Sequence, residues 1–172
     1  PTPTPAAISN WTALGWREDT SASTAWYSVG TSVSTAKTYY AVYSRTLTVS
    51  YNANGGSGTT AATTATIYLN SNSTTTSSQT VTLRANGFSK SGYAFNKWAA
   101  GSTSGTQYSA GGSYTPGVAY NASTFGTTMY ATWTEMNFGV HASCGGNSGS
   151  YSSYYSTLAN AISGATAGQC IT

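Results

Sequence analysis

The chain has 172 residues, of which only 5% are charged, and its formal net charge is +3. Its basic residues are scattered and form neither a basic stripe nor a basic amphipathic helix, which argues against nucleic-acid binding and against a helix lying on a membrane surface. No apolar run approaches the roughly 20 residues of a membrane-spanning helix. Roughly a third of the residues are serine or threonine and 13% are aromatic, so we expect a β-rich fold with aromatic cores and a hydroxyl-covered surface.

The first seven residues predict an extended segment ahead of the folded part. They begin with Pro-Thr-Pro-Thr-Pro, and alternating prolines favour the polyproline II conformation. We therefore predict that residues 1–7 form a linker. Thr2 and Thr4 lie between prolines and are candidate acceptors for O-glycosylation.

Two stretches, residues 14–44 and 95–134, carry the same aromatic landmarks in the same order. In each, a tryptophan is followed by a tyrosine 10 or 11 residues later, and then by an alternating segment that predicts a strand covered on both faces. Landmarks that recur within one chain favour a shared core over a shared ligand site. The aromatic residues that we interpret as core anchors are Trp16, Tyr27, Tyr40, Tyr51, Tyr93, Phe95, Trp98, Tyr108, Tyr130 and Trp133.

Two further tryptophans, Trp11 and Trp26, have no clear counterpart in the other stretch. Exposed tryptophan rings stack on sugars and are enriched at protein interfaces. These two residues are therefore the candidates for contacting a ligand or a partner.

The region between the two stretches predicts three strands. Thr46–Tyr51 alternates as a strand and runs into residues 52–58, which are rich in residues that tolerate positive φ and so predict a tight turn. Two more strand candidates are Ala65–Leu69 and Thr80–Arg84. The polar residues 70–78 between them predict a solvated loop.

Three sequence blocks follow one another in residues 46–134: a strand ending in Asn54-Gly55-Gly56, the block Gly92-Tyr93-Ala94-Phe95-Asn96-Lys97-Trp98, and the closing strand Tyr130-Ala131-Thr132-Trp133. This succession resembles the internalin B-repeat family, also called the Listeria-Bacteroides repeat, fully over 46–134 and partly over 8–45. Lys97 replaces the usual glycine and Met129 the usual leucine. The resemblance implies small β-grasp-like modules, repeated on secreted or wall-attached bacterial proteins as spacers or adhesive stalks.

Residues 135–172 have a different character. Residues 155–172 predict a short helix capped by Ser156 or Thr157, a glycine turn and the start of a strand, and they resemble the entry cap of parallel β-helix surface proteins. Cys144 and Cys170 predict a disulfide that closes this segment, with two buried free thiols as the alternative. Such a loop contributes about 3 to 4 kcal/mol in the chain-entropy estimate and is typical of an oxidising exterior.

Few residues are suited to catalysis or metal binding. Glu18 and Asp19 are neighbours in a predicted hairpin loop, so we interpret them as a solvated turn rather than as the facing carboxylates of a glycosidase. His141 lies close to Cys144 in sequence, but it is the only histidine, and Cys170 offers that thiol a disulfide partner. We therefore predict no catalytic residue, no metal, no cofactor and no enzymatic activity.

Three sequons offer sites for N-glycosylation, beginning at Asn10, Asn72 and Asn121. Covalent glycan would help to solubilise a surface that carries so few charges. An intact mass equal to the 17.7 kDa of the bare chain would refute this hypothesis.

The sequence as a whole predicts a mainly β, non-enzymatic protein, secreted or displayed at the surface of a prokaryote. We expect an incomplete module at 8–45, a complete module at 46–134 and a disulfide-closed segment at 135–172. The expected function is a tandem-module spacer or a fibre subunit. The alternatives are a glycan-binding or adhesive module of a larger surface protein, and a fragment of a wall-active enzyme.

Self-association is expected from the incomplete module at 8–45. It lacks an opening strand, which predicts an unpaired sheet edge. An exposed edge readily recruits a strand from another chain. Head-to-tail assembly into a homopolymer would follow, with the termini taking part.

Overall fold

The computed structural model describes residues 1–136, 138–141, 151–155 and 157–171. These residues form strands with one short helix, so the predicted mainly β class is confirmed. In chain order the elements are β1 Thr12–Arg17, β2 Tyr27–Ser28, β3 Tyr40–Asn52, β4 Ser57–Gly58, β5 Thr63–Asn70, β6 Val81–Thr82, β7 Phe88–Ser89, β8 Tyr93–Ala100, β9 Gln107–Tyr108, β10 Ser113–Tyr114, β11 Gly126–Glu135, β12 Phe138–His141, β13 Tyr151–Tyr155, α1 Leu158–Gly164 and β14 Cys170–Ile171.

Packing divides the chain into two compact units, each built from three separate segments. Unit 1 comprises residues 1–50, 62–83 and 112–127, and unit 2 comprises residues 51–61, 84–111 and 128–172. The module boundaries predicted from the sequence rest on repeat similarity rather than on packing. They stay a prediction.

The sheet of unit 1 is built around β3. β1 pairs antiparallel with residues 40–44 of β3, and β5 pairs antiparallel with residues 42–49 of the same strand. β2 pairs with β1. Val42, for example, lies opposite Gly15 of β1 and opposite Asn70 of β5. The strand that closes the predicted first module is therefore paired on both sides. β5 fills the second side of this strand, and the unpaired edge expected for the sheet of the first module stays a prediction.

The core of unit 1 lies against β3 and β5. Three consecutive residues of β3, Ala41, Val42 and Tyr43, are buried, so both faces of this strand are covered, as the alternation predicted. The members of the main core cluster are Trp11, Ala41, Tyr43, Leu47, Ile67, Leu69 and Phe125.

Unit 2 contains the predicted closing strand and its partners. β8 and β11 pair antiparallel from Tyr93 opposite Glu135 to Ala100 opposite Met129. β9 adds to β8, with Tyr108 opposite Trp98. The short strands β4 and β7 pair with each other, and β12 pairs with both β13 and β14.

The predicted C-terminal helix is present as α1. The hydroxyl oxygen of Thr157 accepts a hydrogen bond from the backbone N–H of Asn160 at 3.2 Å, which confirms Thr157 as the N-cap. Ser156, the other candidate cap, lies outside the described residues. Cys170 begins β14, but Cys144 also lies outside them, so the disulfide stays a prediction. Within the described part of the chain, no helix is both long enough and apolar enough to cross a membrane.

Candidate functional site

An aromatic groove of about 270 Å³ lies on the surface of unit 1. Its walls are Trp16 of β1, Val33 and Tyr39, together with the first three residues of the chain. We call residues 1–6 the N-terminal strap. We call the surface of unit 1 formed by Trp16, Val33 and Tyr39, against which the strap encloses this cleft, the strap groove. Thr2 of the strap is only 7% exposed, so the strap is a packed part of unit 1.

The β1–β2 pairing sets the aromatic wall of the strap groove. Trp16 lies directly opposite Tyr27, and residues paired in this way project from the same face of a sheet. The ring of Tyr27 meets the ring of Tyr39 edge-on, with centroids 5.6 Å apart. The indole N–H of Trp16 donates to the carbonyl of Pro3 at 2.8 Å, so the wall and the strap are joined directly.

A charged network surrounds Arg17, the residue after Trp16. Its guanidinium donates two hydrogen bonds to the carboxylate of Asp19, at 2.6 and 2.8 Å, and one to the carbonyl of Thr24 at 2.7 Å. Its central carbon lies 4.3 Å from the centroid of the Trp26 ring. The hydrogen bonds from Arg17 hold the pKa of Asp19 at about 2.

Glu18 belongs to a second ion pair in the same loop. Its carboxylate accepts hydrogen bonds from the ammonium of Lys37 at 2.7 Å and from the hydroxyl of Tyr27 at 2.8 Å. These two bonds, that of Lys37 first, lower the pKa of Glu18, and the same contacts raise the pKa of Tyr27 and of Lys37. Glu18 and Asp19 therefore form ion pairs with different basic residues, Lys37 and Arg17, instead of facing each other.

Acid should weaken this loop in a defined pH range. Because the folded-state pKa of Asp19 is lowered from 3.8 to about 2, its contribution to stability is complete above about pH 4 and is lost as the pH falls towards 2. In urea denaturation at several pH values, we expect Asp19→Asn to flatten the dependence of unfolding free energy on pH between 4 and about 2. Thr20→Ala, the neighbouring control, should keep the wild-type dependence. Identical profiles for wild type and Asp19→Asn would contradict the ion pair.

The predicted anchor Trp98 forms the centre of an aromatic cluster in unit 2. It is fully buried, and its ring lies 4.8 Å from Tyr51, 4.8 Å from Phe95 and 6.0 Å from Phe88, measured between centroids. Its indole N–H donates to the carbonyl of Arg84 at 2.9 Å. The backbone N–H of Arg84 donates to the hydroxyl of Tyr51 at 2.8 Å. The predicted anchors Trp98 and Tyr51 thus bind the carbonyl and the N–H of the same residue, Arg84.

The Asn-Gly-Gly turn of the predicted motif is tied to the closing strand. The side-chain amide of Asn54, whose φ is 46°, donates to the carbonyl of Ala131 at 2.9 Å, and the indole N–H of Trp133 donates to the carbonyl of Ala53 at 3.0 Å. A Cβ on Gly56 would lie 2.8 Å from the Trp133 ring. The turn and the closing strand of the motif therefore meet within unit 2. A side chain at residue 56 would overlap the carbonyl oxygen of Ser89 as well as the Trp133 ring.

The other predicted anchors are partly exposed. Lys90 lies over the ring of Tyr93, with its ammonium 4.3 Å from the centroid. Phe95 and Trp133 are in edge-to-face contact at 6.1 Å. The anchors of intermediate burial are Trp16, Tyr27, Tyr40, Tyr51, Tyr93, Phe95, Tyr108, Tyr130 and Trp133.

The two candidate ligand-contacting tryptophans have different environments. Trp11 is 8% exposed, contacts Phe125 edge-on at 5.5 Å and donates its indole N–H to the carbonyl of Tyr120 at 2.8 Å. It belongs to the core of unit 1 and does not present its ring to a ligand. Trp26 is 53% exposed, so of the two it is the one available for contact.

Three residues of unit 1 that form the contacts described above, or contacts near them, were not singled out from the sequence: Arg17, Tyr39 and Asn70. Arg17 had a usable signal, because a basic residue directly before two acidic ones is unusual in a chain with so few charges. Asn70 had none. It is 1% exposed, and its amide donates to the carbonyls of Asp19 and Ser21, both at 3.1 Å. These partners lie about 50 residues away, so no local pattern marks them.

The predicted glycosylation sites differ in accessibility. The three sequon asparagines Asn10, Asn72 and Asn121 are exposed. Thr4 is exposed as well, whereas Thr2 is buried and its hydroxyl donates to the carbonyl of Ser28 at 3.0 Å. Thr4 is therefore the accessible acceptor of the pair, and glycosylation itself stays a prediction.

Comparisons of the chain with protein-family models, with curated proteins and with solved structures found no match.

Proposed function

We propose that the chain is a structural part of a secreted or surface-displayed prokaryotic protein, acting as a tandem-module spacer or as a fibre subunit. One observation carries this proposal. The indole N–H groups of Trp11, Trp16, Trp98 and Trp133 each donate to a backbone carbonyl of the same chain. Buried and half-buried rings used in this way fasten loops to strands, and so they maintain a defined shape.

The state of the acidic residues also favours a structural function over a catalytic one. General acid–base catalysis works best with a pKa near the working pH. The contacts of Asp19 with Arg17 and of Glu18 with Lys37 lower both carboxyl pKa values and occupy both groups. Asp19 and Glu18 thus stabilise the loop that follows β1.

The finer parts of the proposal come from the sequence. They are the kinship of the modules to internalin B-repeats with a β-grasp-like fold, a Cys144–Cys170 disulfide, and glycans on the exposed asparagines. The contacts of Asn54 and Trp133 agree with the first, since they join two parts of the motif on which the resemblance rests.

Electron microscopy of the native material tests the structural function. We expect arrays or fibres in which this chain is a regular component. Native material found only as dispersed single particles would overturn the fibre form of the proposal. A soluble parent protein in which the chain directly adjoins a catalytic domain would favour the enzyme-fragment alternative.

A glycan-binding function is the second candidate, and the exposed ring of Trp26 favours it. Arg17 covers one face of this ring, and 53% of the residue is exposed to solvent. An aromatic face beside a charged network is a suitable platform for a sugar. If the chain binds glycans, binding on a glycan array should be lost in Trp26→Ala and kept in Val29→Ala, an exposed apolar control three residues away.

A further inference from the structure

The N-terminal strap is held by hydrogen bonds centred on Thr2. The backbone N–H of Thr2 donates to the carbonyl of Thr31 at 2.8 Å, and its carbonyl accepts from the N–H of Gly30 at 3.1 Å. The Thr2 hydroxyl donates to the carbonyl of Ser28 at 3.0 Å. Every polar group of this one residue is therefore bonded to unit 1.

The remaining contacts of the strap use carbonyls, which suits a segment rich in proline. Pro3 accepts from the indole N–H of Trp16 at 2.8 Å, and Ala6 accepts from the hydroxyl of Tyr43 at 2.7 Å. Pro5 between them is buried. Proline lacks an N–H and fixes φ, so the strap loses little conformational entropy on docking. Aromatic grooves recognise extended proline-rich segments in this manner.

A short turn connects the strap to β1. The N–H of Trp11 donates to the carbonyl of Ile8 at 3.0 Å, and Asn10 has a φ of 66°, a left-handed conformation that asparagine adopts more readily than most residues other than glycine. Opening this turn breaks the hydrogen bond between Trp11 and Ile8. The hydrogen bonds of Thr2, Pro3 and Ala6 are all formed again if an identical strap from another copy takes the place of the original strap.

We propose that the strap groove is a docking site for an extended Pro-Thr-Pro-Thr-Pro segment, and that in an assembly its occupant is the strap of a second copy of the chain. Exchange keeps every strap contact, because the incoming segment has the same sequence as the outgoing one. Swapping of identical elements is a low-cost route to assembly, and a strap passed from each copy to the next makes a head-to-tail chain. This inference deepens the proposed structural function and rests on it for its biological purpose.

The first test uses the full chain with its own strap weakened. Thr2→Pro removes the N–H and the hydroxyl that bind Thr31 and Ser28, and it leaves Trp16, Val33 and Tyr39 unchanged. The probe is a fluorescent peptide of the sequence Pro-Thr-Pro-Thr-Pro-Ala, followed by anisotropy and by the indole N–H signal of Trp16 in NMR spectra. We expect the peptide to bind Thr2→Pro at least tenfold more tightly than wild type and to shift the Trp16 signal.

Three controls define this test. Thr2→Ser keeps both donors and should bind the peptide as weakly as wild type. Adding Trp16→Phe to Thr2→Pro removes the donor to Pro3 and should weaken peptide binding at least tenfold. If Thr2→Pro does not fold, millimolar peptide added to wild type should still displace the strap and shift the Trp16 signal. A folded Thr2→Pro chain that ignores the peptide, or a wild type whose Trp16 signal never moves, overturns the docking site.

Sedimentation velocity at high protein concentration tests the exchange. We expect wild type to self-associate and Thr2→Pro to do so at least tenfold less readily. Equal association of the two chains would overturn strap exchange, while leaving fibre formation through another surface in place. A wild-type chain that binds the peptide yet stays monomeric at every concentration would overturn the exchange as well. Electron microscopy of native material remains the separate test of the structural function.

Discussion

Replacing Trp98 by alanine is expected to lower the free energy of unfolding by about 3 to 5 kcal/mol, which is the usual cost of removing a fully buried large aromatic side chain. Trp98 has no exposed surface and contacts three aromatic rings. The substitution also leaves the carbonyl of Arg84 without its donor. Since domains are typically stable by only 5 to 15 kcal/mol, Trp98→Ala should be near the limit of folding.

Two further substitutions make the Trp98 experiment specific. Trp98→Phe keeps an aromatic ring but removes the N–H that binds Arg84, so its cost should be intermediate. Trp26→Ala removes the same ring from a site that is 53% exposed and should change the free energy by about 1 kcal/mol or less. Urea denaturation followed by circular dichroism gives all three values. Similar losses for Trp98→Ala and Trp26→Ala would show that Trp98 is not an anchor.

The second large effect is expected at Gly15, where β1 passes β2. Gly15 has a φ of 138°, and a Cβ there would lie 2.1 Å from the carbonyl oxygen of Tyr27. The contact is with backbone, so no rotation of a side chain can relieve it. Gly15→Ala should cost about 3 kcal/mol through the combined strain and overlap. It should also separate β2 from β1 and thereby shift the Trp16 indole signal in NMR spectra.

Gly30→Ala is the matched control for Gly15→Ala. Gly30 also has a positive φ, of 82°, but a Cβ there would meet nothing within 4 Å. Its cost should be limited to the backbone preference, about 1 kcal/mol. If the two substitutions destabilise the chain equally in chemical denaturation, then the close approach of Gly15 to Tyr27 is incorrect.

Much of the β architecture could be predicted because the alternation of side chains is a local signal. Ala65–Leu69 lies within β5, and the two predicted closing strands lie at the start of β3 and within β11. The aromatic anchor Trp98 could be predicted because its motif recurs. The contribution of Asn54 was harder to foresee, since its partner Ala131 lies 77 residues away.

The division of β3 into two strands was wrong for a physical reason. Arg45 lies between the alternating segment that ends the stretch 14–44 and the predicted strand Thr46–Tyr51. In the structure its guanidinium donates to the carbonyls of Ala122 and Ser123 and lies 4.4 Å from the centroid of the Phe125 ring. A distant loop thus satisfies the charge, and the strand continues through it.

The strap groove could not be predicted either. The repeated prolines at the start of the chain predicted a linker and gave no sign that it packs on unit 1, because the docking of Thr2 depends on carbonyls of residues 28 and 31 that any sequence would supply. Backbone acceptors leave no mark in a sequence. Only the fold shows that Trp16, Val33 and Tyr39 come together beside them.

The placement of the few charges bears on how the protein responds to salinity. The ion pairs Arg17–Asp19 and Lys37–Glu18, which are those seen in the described part of the chain, both lie in one loop region of unit 1. Dissolved salt screens exposed charges within about 8 Å at physiological ionic strength, but it hardly weakens buried aromatic contacts or backbone hydrogen bonds. Moving from fresh water to brine should therefore weaken the exposed Lys37–Glu18 pair more than the partly buried Arg17–Asp19 pair, and it should leave the Trp98 cluster unchanged. The response of this protein to salt is therefore confined to one loop region of unit 1.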